Sequence, residues 1–169
     1  MQSRILNRLK KSRTRSRRGF TLIEIMAVVV ILGTLAAIAI PSFGSLTDEA
    51  KQSTFIANLK IYASAANLFV AKNTQYPEDS SSGAIPTGLE TYIDVDKWNA
   101  GPVIGGVWDF ELNSFGITSG FGVHFNGTGE TRDDVYMTEI DSKFDGGDLA
   151  TGAFREIADN SRYYFILAN

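Results

Sequence analysis

A chain of 169 residues, 44% of them apolar and 21% charged, has room for one folded domain plus a targeting or anchoring element. The net charge of −3 conceals a split: residues 1–19 hold eight of the 16 Lys and Arg and no acid, whereas residues 20–169 hold the other eight against all 19 acidic side chains. No Cys and a single His argue against disulfide staples, a thiol nucleophile and a zinc site, and an acidic remainder that repels phosphate argues against nucleic acid as a partner.

In chain order, the first element is a basic leader, residues 1–19, in which Arg4, Arg8, Lys10, Lys11, Arg13, Arg15, Arg17 and Arg18 mark an end that stays in the cytoplasm when an apolar run follows. That run is residues 20–44. From Ile25 to Ile40 it contains no charge, and with Phe20 to Ile23 it approaches the ~20 residues that span a bilayer. Gly33 and Thr34 weaken it, and Pro41 is expected to end or kink its helix. Three ordinary readings fit this outline: a secretory signal cut at Ala37-Ile38-Ala39, a twin-arginine signal built on Arg17-Arg18, or a plain signal anchor. None of them uses Glu24. An unpaired carboxylate in a membrane helix costs at least about 2.5 kcal/mol, so this residue requires a partner.

The stretch Arg17-Arg18-Gly19-Phe20-Thr21-Leu22-Ile23-Glu24 resembles the cleavage and methylation motif of type IV prepilins and type II secretion pseudopilins, and the specific resemblance covers residues 17–45. It implies a dedicated peptidase that cuts after Gly19, N-methylation of the new terminus at Phe20, and an assembly role for Glu24, the fifth residue counted from Phe20. Gly33 and Pro41 then stand where that family weakens its helix, allowing local unwinding as the segment leaves the membrane. The implied product is a structural subunit with no catalysis and no cofactor. Its partners would be further copies in a helical filament, other pilins or pseudopilins, the peptidase, an inner-membrane assembly platform, and lipid before assembly. The precursor would sit in the inner membrane with a periplasmic domain, and the product would be a cell-surface filament or a periplasmic pseudopilus. Cleavage leaves an ammonium on Phe20, and Glu24 of an incoming subunit would pair with the Phe20 amine of a subunit already in place. The alternative, from another class, is an exported soluble or membrane-anchored binding domain whose N-terminus is an ordinary signal. Cleavage after Gly19 keeps the helix, whereas cleavage after Ala39 loses it.

Residues 45–169 read as an extracytoplasmic domain that opens on an amphipathic helix. Phe55, Ile56, Leu59, Tyr62, Ala66, Phe69 and Val70 recur in steps of three and four, and Ser45 or Thr47 would cap its start. Joined to the apolar run, this helix would reach from Phe20 to near Lys72, roughly 80 Å. Asn73 to Gly88 is a linker, and Pro86 to Ile93 a short helix. Val107 to Leu112 alternates as a half-buried strand, and Phe121 to Phe125 is a second, with His124 on its solvent face. Asp133 to Phe144 has helical spacing through Val135, Met137, Ile140 and Phe144. Phe154–Ala158 and Tyr163–Leu167 are closing strands around a turn at Asp159-Asn160. The expected architecture is α+β and pilin-like: one long N-terminal helix, half for membrane and assembly and half amphipathic, packed on a small antiparallel sheet.

One further group carries possible chemistry. Glu139, Asp141, Asp145 and Asp148 gather around D-S-K-F-D-G-G-D. Asp141, Asp145 and Asp148 would be the ligands if calcium, which takes six to eight oxygens, were bound there. The spacing is not that of an EF-hand and Lys143 intervenes, so the preferred reading is a solvated helix end with no metal. Trp98, Trp108 and Tyr163-Tyr164-Phe165 read as core and sheet packing rather than a binding surface.

Overall fold

The computed structural model describes residues 19–169, with the side chains of residues 38–45 excepted. The leader with Arg17 and Arg18, and the side chains of Ile38, Ala39 and Pro41 invoked above, lie outside the described residues. The chain divides into two units between Phe43 and Gly44, each taken by itself below.

Helix α1, Leu22–Asn73, begins in the first unit and ends in the second. Of the two outcomes expected at Pro41, an end to the helix is excluded, and the single long N-terminal helix of the expected fold is present. A proline forfeits one backbone donor, and in a helix of 52 residues the remaining ladder carries on across it. No separate N-terminus forms at Ser45, so no cap is needed there. In the first unit every described side chain of α1, from Leu22 to Ala37, is exposed.

The second unit is built on the C-terminal part of α1 and one four-stranded antiparallel sheet. Its strands are β1 (Val107–Ser114), β2 (Ile117–His124), β3 (Phe154–Ala158) and β4 (Arg162–Ala168), in the order β1-β2-β4-β3. Phe121 of β2 is the register mark, opposite Phe110 of β1 and Phe165 of β4. Two short helices complete the unit, α2 (Val95–Asn99) and α3 (Asp134–Asp141), with a 3-10 turn at Leu89–Thr91. The helix expected over Pro86 to Ile93 is only that turn. Helix α2 was not foreseen, although Asp94 supplies a readable cap by accepting from the Lys97 N–H. Asp133 caps α3 in the same way by accepting from the Tyr136 N–H.

The foreseen stripe of α1 is the spine of the core. Phe55, Leu59, Tyr62 and Ala66 are buried, with Ile56 and Phe69 packed at the margin. Phe55 stacks on Trp108 at 5.4 Å between ring centres, and Tyr62 meets Trp108 edge-on at 4.8 Å and Trp98 at 5.1 Å. Burying one such side chain stabilises the fold by about 1.5–3 kcal/mol. Trp98 and Trp108 are thus core residues, as expected, and Trp98 donates its indole N–H to the Gly83 carbonyl at 2.9 Å. Val135 departs from the expected apolar face of α3: it is 70% exposed, while Met137 and Ile140 are buried.

Strand β1 also departs from expectation. Its alternation predicts a wet face, yet Asp109 and Glu111 are buried along with Trp108 and Phe110. The segment 80–83 covers that face and brings polar partners with it. At the sheet's centre, a Cβ on Gly122 would lie 2.1 Å from the Tyr163 carbonyl oxygen and 2.5 Å from the Tyr164 ring. Gly122→Ala is expected to cost about 1–3 kcal/mol through overpacking, read as a lowered urea midpoint with an unchanged slope.

Candidate functional site

The N-terminal end of α1 is organised around Glu24. Thr21 is the N-cap residue and Glu24 lies three positions on, so T-L-I-E forms a capping box. The Thr21 N–H and Oγ1 donate to Glu24 Oε2 at 2.8 and 2.9 Å, and the Glu24 N–H donates to Thr21 Oγ1 at 3.3 Å. The sequence reading passed over this box, although the S/T-x-x-E signature was legible. It gives the carboxylate two donors at the helix terminus, where the helix dipole favours negative charge. Gly19 and Phe20 are described and exposed, with open space around Gly19.

Nothing described within the subunit explains the apolar surface that follows. Leu22, Ile23, Met26, Val29, Val30, Ile31, Leu32 and Leu35 are each more than half exposed. Gly33 is helical, and a Cβ there would meet nothing within 4 Å. Thr34 returns its hydroxyl to the Ile31 carbonyl at 2.8 Å and so presents no unsatisfied donor. Among the described residues Leu46–Asn73 is long and apolar enough to cross a membrane, whereas the described part of the first segment, Leu22–Ala37, is a shorter apolar helix. The aromatic and aliphatic stripe of Leu46–Asn73 is spent on the core, however, and Asp48, Glu49 and Lys51 stand at its start. The free apolar surface belongs to Leu22–Ala37.

The acidic loop after α3 differs from the solvated helix end that was expected. Asp141 is wholly buried, and neither of its carboxylate oxygens has a well-formed hydrogen bond. Burial first, and then the neighbouring Asp145 carboxyl, push its pKa up to about 6, against the backbone N–H groups of Asp148 and Gly147. Asp145 accepts from the Ala153 N–H, and Asp148 accepts from the Ala150 N–H and the Thr151 hydroxyl. Among the described residues no three acidic or His side chains gather closely enough to hold a metal. A raised carboxyl pKa means that the folded state binds the extra proton between about pH 4 and 6. Stability is then greatest below that window and is lost as pH rises through 6. Asp141→Asn is expected to raise stability at pH 8 by about 1–3 kcal/mol and to flatten the profile between pH 4 and 6. Chemical denaturation across that range checks it, and repeating the series in excess calcium reads directly whether a cation ever replaces the proton.

His124 is not on a solvent face. Its side chain is 20% exposed, and Nδ1 lies 2.9 Å from Ser82 Oγ. Ser82 donates its proton to Asp109 Oδ2 at 2.7 Å, so the His124 Nδ1–H is the donor to Ser82. The order of bonds is thus His to Ser to Asp, with no base poised to take the serine proton. Asp109 Oδ2 also accepts from Arg162 at 2.7 Å and from the Tyr164 hydroxyl at 2.6 Å, and Arg162 contacts Glu111. Burial and the Arg162 charge lower the His124 pKa and keep it neutral at physiological pH. This network is a clasp holding the 80–83 segment on the sheet. The alternation of β1 hid it, because its other half comes from residues distant in sequence.

Comparison with known proteins agrees with this placement. The model for the prokaryotic N-terminal methylation motif matches residues 14–40. The chain is 39% identical over 88 residues to the type II secretion system core protein G of Pseudomonas aeruginosa, covering 52% of this chain and 58% of that protein. It is 48% identical over 61 residues to the type IV major pilin protein PilA of Myxococcus xanthus, covering 36% of this chain and 28% of that protein. It is 39% identical over 74 residues to the type IV narrow pilus major component PilA5 of Thermus thermophilus, covering 44% of this chain and 64% of that protein. The matches thus span between about a quarter and two thirds of these relatives. The structure of the major type IV pilin PilA1 from Clostridium difficile superposes with a TM-score of 0.52 over 74% of this chain and 99% of that one, at 18% identity, a likeness of fold. With the capped, exposed apolar helix Leu22–Ala37 and an α+β domain, this chain carries the prokaryotic N-terminal methylation motif and is similar, over part of its length, to type IV pilins and to type II secretion core protein G.

Proposed function

We propose that the chain is a structural subunit of a pilus-like filament or a type II secretion pseudopilus, and not an enzyme. It is made as a precursor anchored in the inner membrane by residues 20–44, with 1–19 cytoplasmic and 45–169 in the periplasm. A prepilin peptidase cuts after Gly19, the new amino group of Phe20 is methylated, and an inner-membrane platform feeds the subunit into a helical array. The observation that carries this reading is the fully exposed apolar segment Leu22–Ala37, with its one carboxylate, Glu24, held at the helix terminus by Thr21. Lipid covers that surface before assembly, and neighbouring helices cover it afterwards. Cleavage at Gly19 creates a cation one residue from the Thr21–Glu24 box, and N-methylation keeps the amine charged. An ammonium opposite Glu24 then replaces hydroxyl and amide donors with a charge-assisted bond in a low-dielectric site.

The test is the intact mass and abundance of the chain in sheared extracellular fibres and in the envelope. A methylated chain starting at Phe20 and dominating the fibres identifies a pilus subunit. The same processed chain confined to the envelope identifies a pseudopilus subunit. A chain starting at residue 40 or 41 would overturn the reading in favour of an exported binding domain.

A further inference from the structure

We propose that Asn126-Gly127 is a self-modifying site, at which the Asn126 side-chain amide is lost as ammonia and the loop that it anchors is released. The reaction needs water and no enzyme, and the site is independent of the filament reading.

Asn is thermolabile because the backbone nitrogen that follows it attacks its side-chain carbonyl carbon. A Gly in the next position leaves that nitrogen uncrowded, and Asn126 is the one Asn followed by Gly in the chain. Both residues are exposed, Gly127 holds a φ of +90°, and a Cβ on it would meet nothing within 4 Å. The Thr128 N–H donates to Asn126 Oδ1 at 3.1 Å, an Asx turn that folds the side-chain amide back over the peptide bond to Gly127. The same bond polarises the carbonyl under attack.

The attacking nitrogen and the leaving amide must also be free, and here the structure discriminates among the Asn residues. Among the described residues neither the Gly127 N–H nor Asn126 Nδ2 has a hydrogen-bond partner. Elsewhere the corresponding nitrogen is held. Those after Asn58 and Asn67 lie inside α1. The Thr74 N–H donates to the Val70 carbonyl, the Ala100 N–H to Asp96 and the Ser161 N–H to Ala158. Ser114, after Asn113, is paired with Ile117 across the hairpin. Of the Asn residues from 58 to 160, Asn126 alone has its nucleophile at liberty.

In the first step the Gly127 N–Asn126 Cγ bond forms and the Cγ–Nδ2 bond breaks. The Gly127 proton leaves with the amide as ammonia, and the product is a cyclic imide. Water then opens the imide. Breaking the new bond gives Asp, whereas breaking the original peptide bond gives isoaspartate, whose main chain runs through Cβ and is one carbon longer. The loop has no slack for that carbon. The Thr128 carbonyl accepts from the Gly106 N–H at 2.8 Å, Arg132 Nε donates to the Ile104 carbonyl at 3.1 Å, and Glu130 pairs with Lys51 at 3.2 Å. A Cβ on Gly105 would lie 1.9 Å from the Glu130 carbonyl oxygen, so the two segments meet backbone to backbone. Isoaspartate at 126 therefore moves the Thr128 carbonyl off Gly106, and either product adds a carboxylate to a loop that already carries Glu130, Asp133 and Asp134.

The test incubates the full chain in detergent at pH 9, folded and in urea, and maps each Asn by proteolysis and mass spectrometry, with electron-transfer fragmentation to distinguish isoaspartate. Asn126 is expected to convert at rates within about threefold of each other in the two states. Asn99, Asn113 and Asn160 are expected to slow by about tenfold or more on folding, a barrier difference of roughly 1.4 kcal/mol. Hydrogen exchange at the Gly106 amide is expected to rise with the converted fraction. Asn126→Gln, whose longer side chain closes a larger ring more slowly, is expected to keep its amide and its Gly106 protection through the same incubation. Folding that slows Asn126 by about tenfold, or Gly106 exchange that is unchanged after conversion, would each overturn the proposal.

Discussion

Glu24→Ala is expected to abolish filament formation while leaving membrane insertion and cleavage after Gly19 intact. The carboxylate contributes nothing to insertion, since a charge in lipid is a cost, and its removal makes the segment more apolar. In the proposed assembly it faces the ammonium of Phe20, and a charge-assisted bond of this kind is worth about 1.5–3 kcal/mol even after solvent exchange. At about 1.4 kcal/mol per tenfold, each subunit added without it dissociates roughly ten to a hundred times more readily, a loss that recurs along the fibre. The capping box allows the charge to be separated from the cap. Glu24→Gln keeps an acceptor for the Thr21 N–H and removes the charge, whereas Thr21→Val removes the hydroxyl bond and keeps the charge. Fibre yield is expected to fall with Glu24→Gln nearly as far as with Glu24→Ala. Thr21→Val is expected to have a smaller effect, on the order of the ~1 kcal/mol of a lost N-cap. Equal fibre mass from Glu24→Gln and the unmodified chain would refute the ion-pair role and leave Glu24 as a helix cap.

The second large effect is expected in the domain. Arg162 is the sole cation in contact with the buried pair Asp109 and Glu111 among the described residues, and it also reaches Tyr164 and Ser82. Its guanidinium lies 5.1 Å from the centre of the Phe115 ring, which covers it from the solvent side. Burial pushes the Glu111 carboxyl up, partly countered by the Ser114 hydroxyl and by Arg162, and the nearby Asp109 charge adds to the rise. Removing the cation therefore leaves two enclosed carboxylates with hydroxyl and amide donors but without the countercharge of Arg162. Arg162→Ala is expected to destabilise the fold by about 3–5 kcal/mol at neutral pH, the range for breaking a buried ion pair from one side. Because Glu111 titrates upward from its ordinary value, part of that loss is expected to return as pH falls toward 5, where protonation relieves the repulsion. Arg162→Met in place of Ala keeps the stem's packing and separates lost volume from lost charge. Urea unfolding at pH 7 and pH 5 checks all three points. A loss below 1 kcal/mol at pH 7 would mean that the clasp contributes little to stability.

What could be read in advance follows from how far apart the interacting residues lie. The assembly segment is local: leader charge, apolar run, Glu24 and the motif around Gly19 occupy one continuous stretch, so order and spacing alone carry the signal. The stripe from Phe55 to Val70 is equally local, because a helix repeats every 3.6 residues and its buried face shows directly in the sequence. The strands near 107–112, 121–125, 154–158 and 163–167 are legible through alternation and the turn at Asp159-Asn160, where both residues adopt positive φ. Continuity of the helix from the apolar run to near Lys72 was legible too, and the structure settles that Pro41 does not end it, because the surrounding ladder outweighs one lost donor.

The polar features depended on distance. Asp109 and Glu111 look like the wet positions of a strand, and only the 80–83 segment, brought over them by the loop after α1, turns that face inward with Ser82, His124 and Arg162. Asp141 looks like a solvated helix end until the loop from Phe144 to Ala153 closes over it and presents Asp145. Period and composition register which face of an element is apolar. They carry no information about which distant segment will cover the other face, and that cover decides whether a charge is solvated, paired or protonated. The sequence by itself thus determined which stretch is the apolar helix and that Glu24 is its one carboxylate, and the tertiary structure alone decided which of the domain's charges are buried and what compensates them.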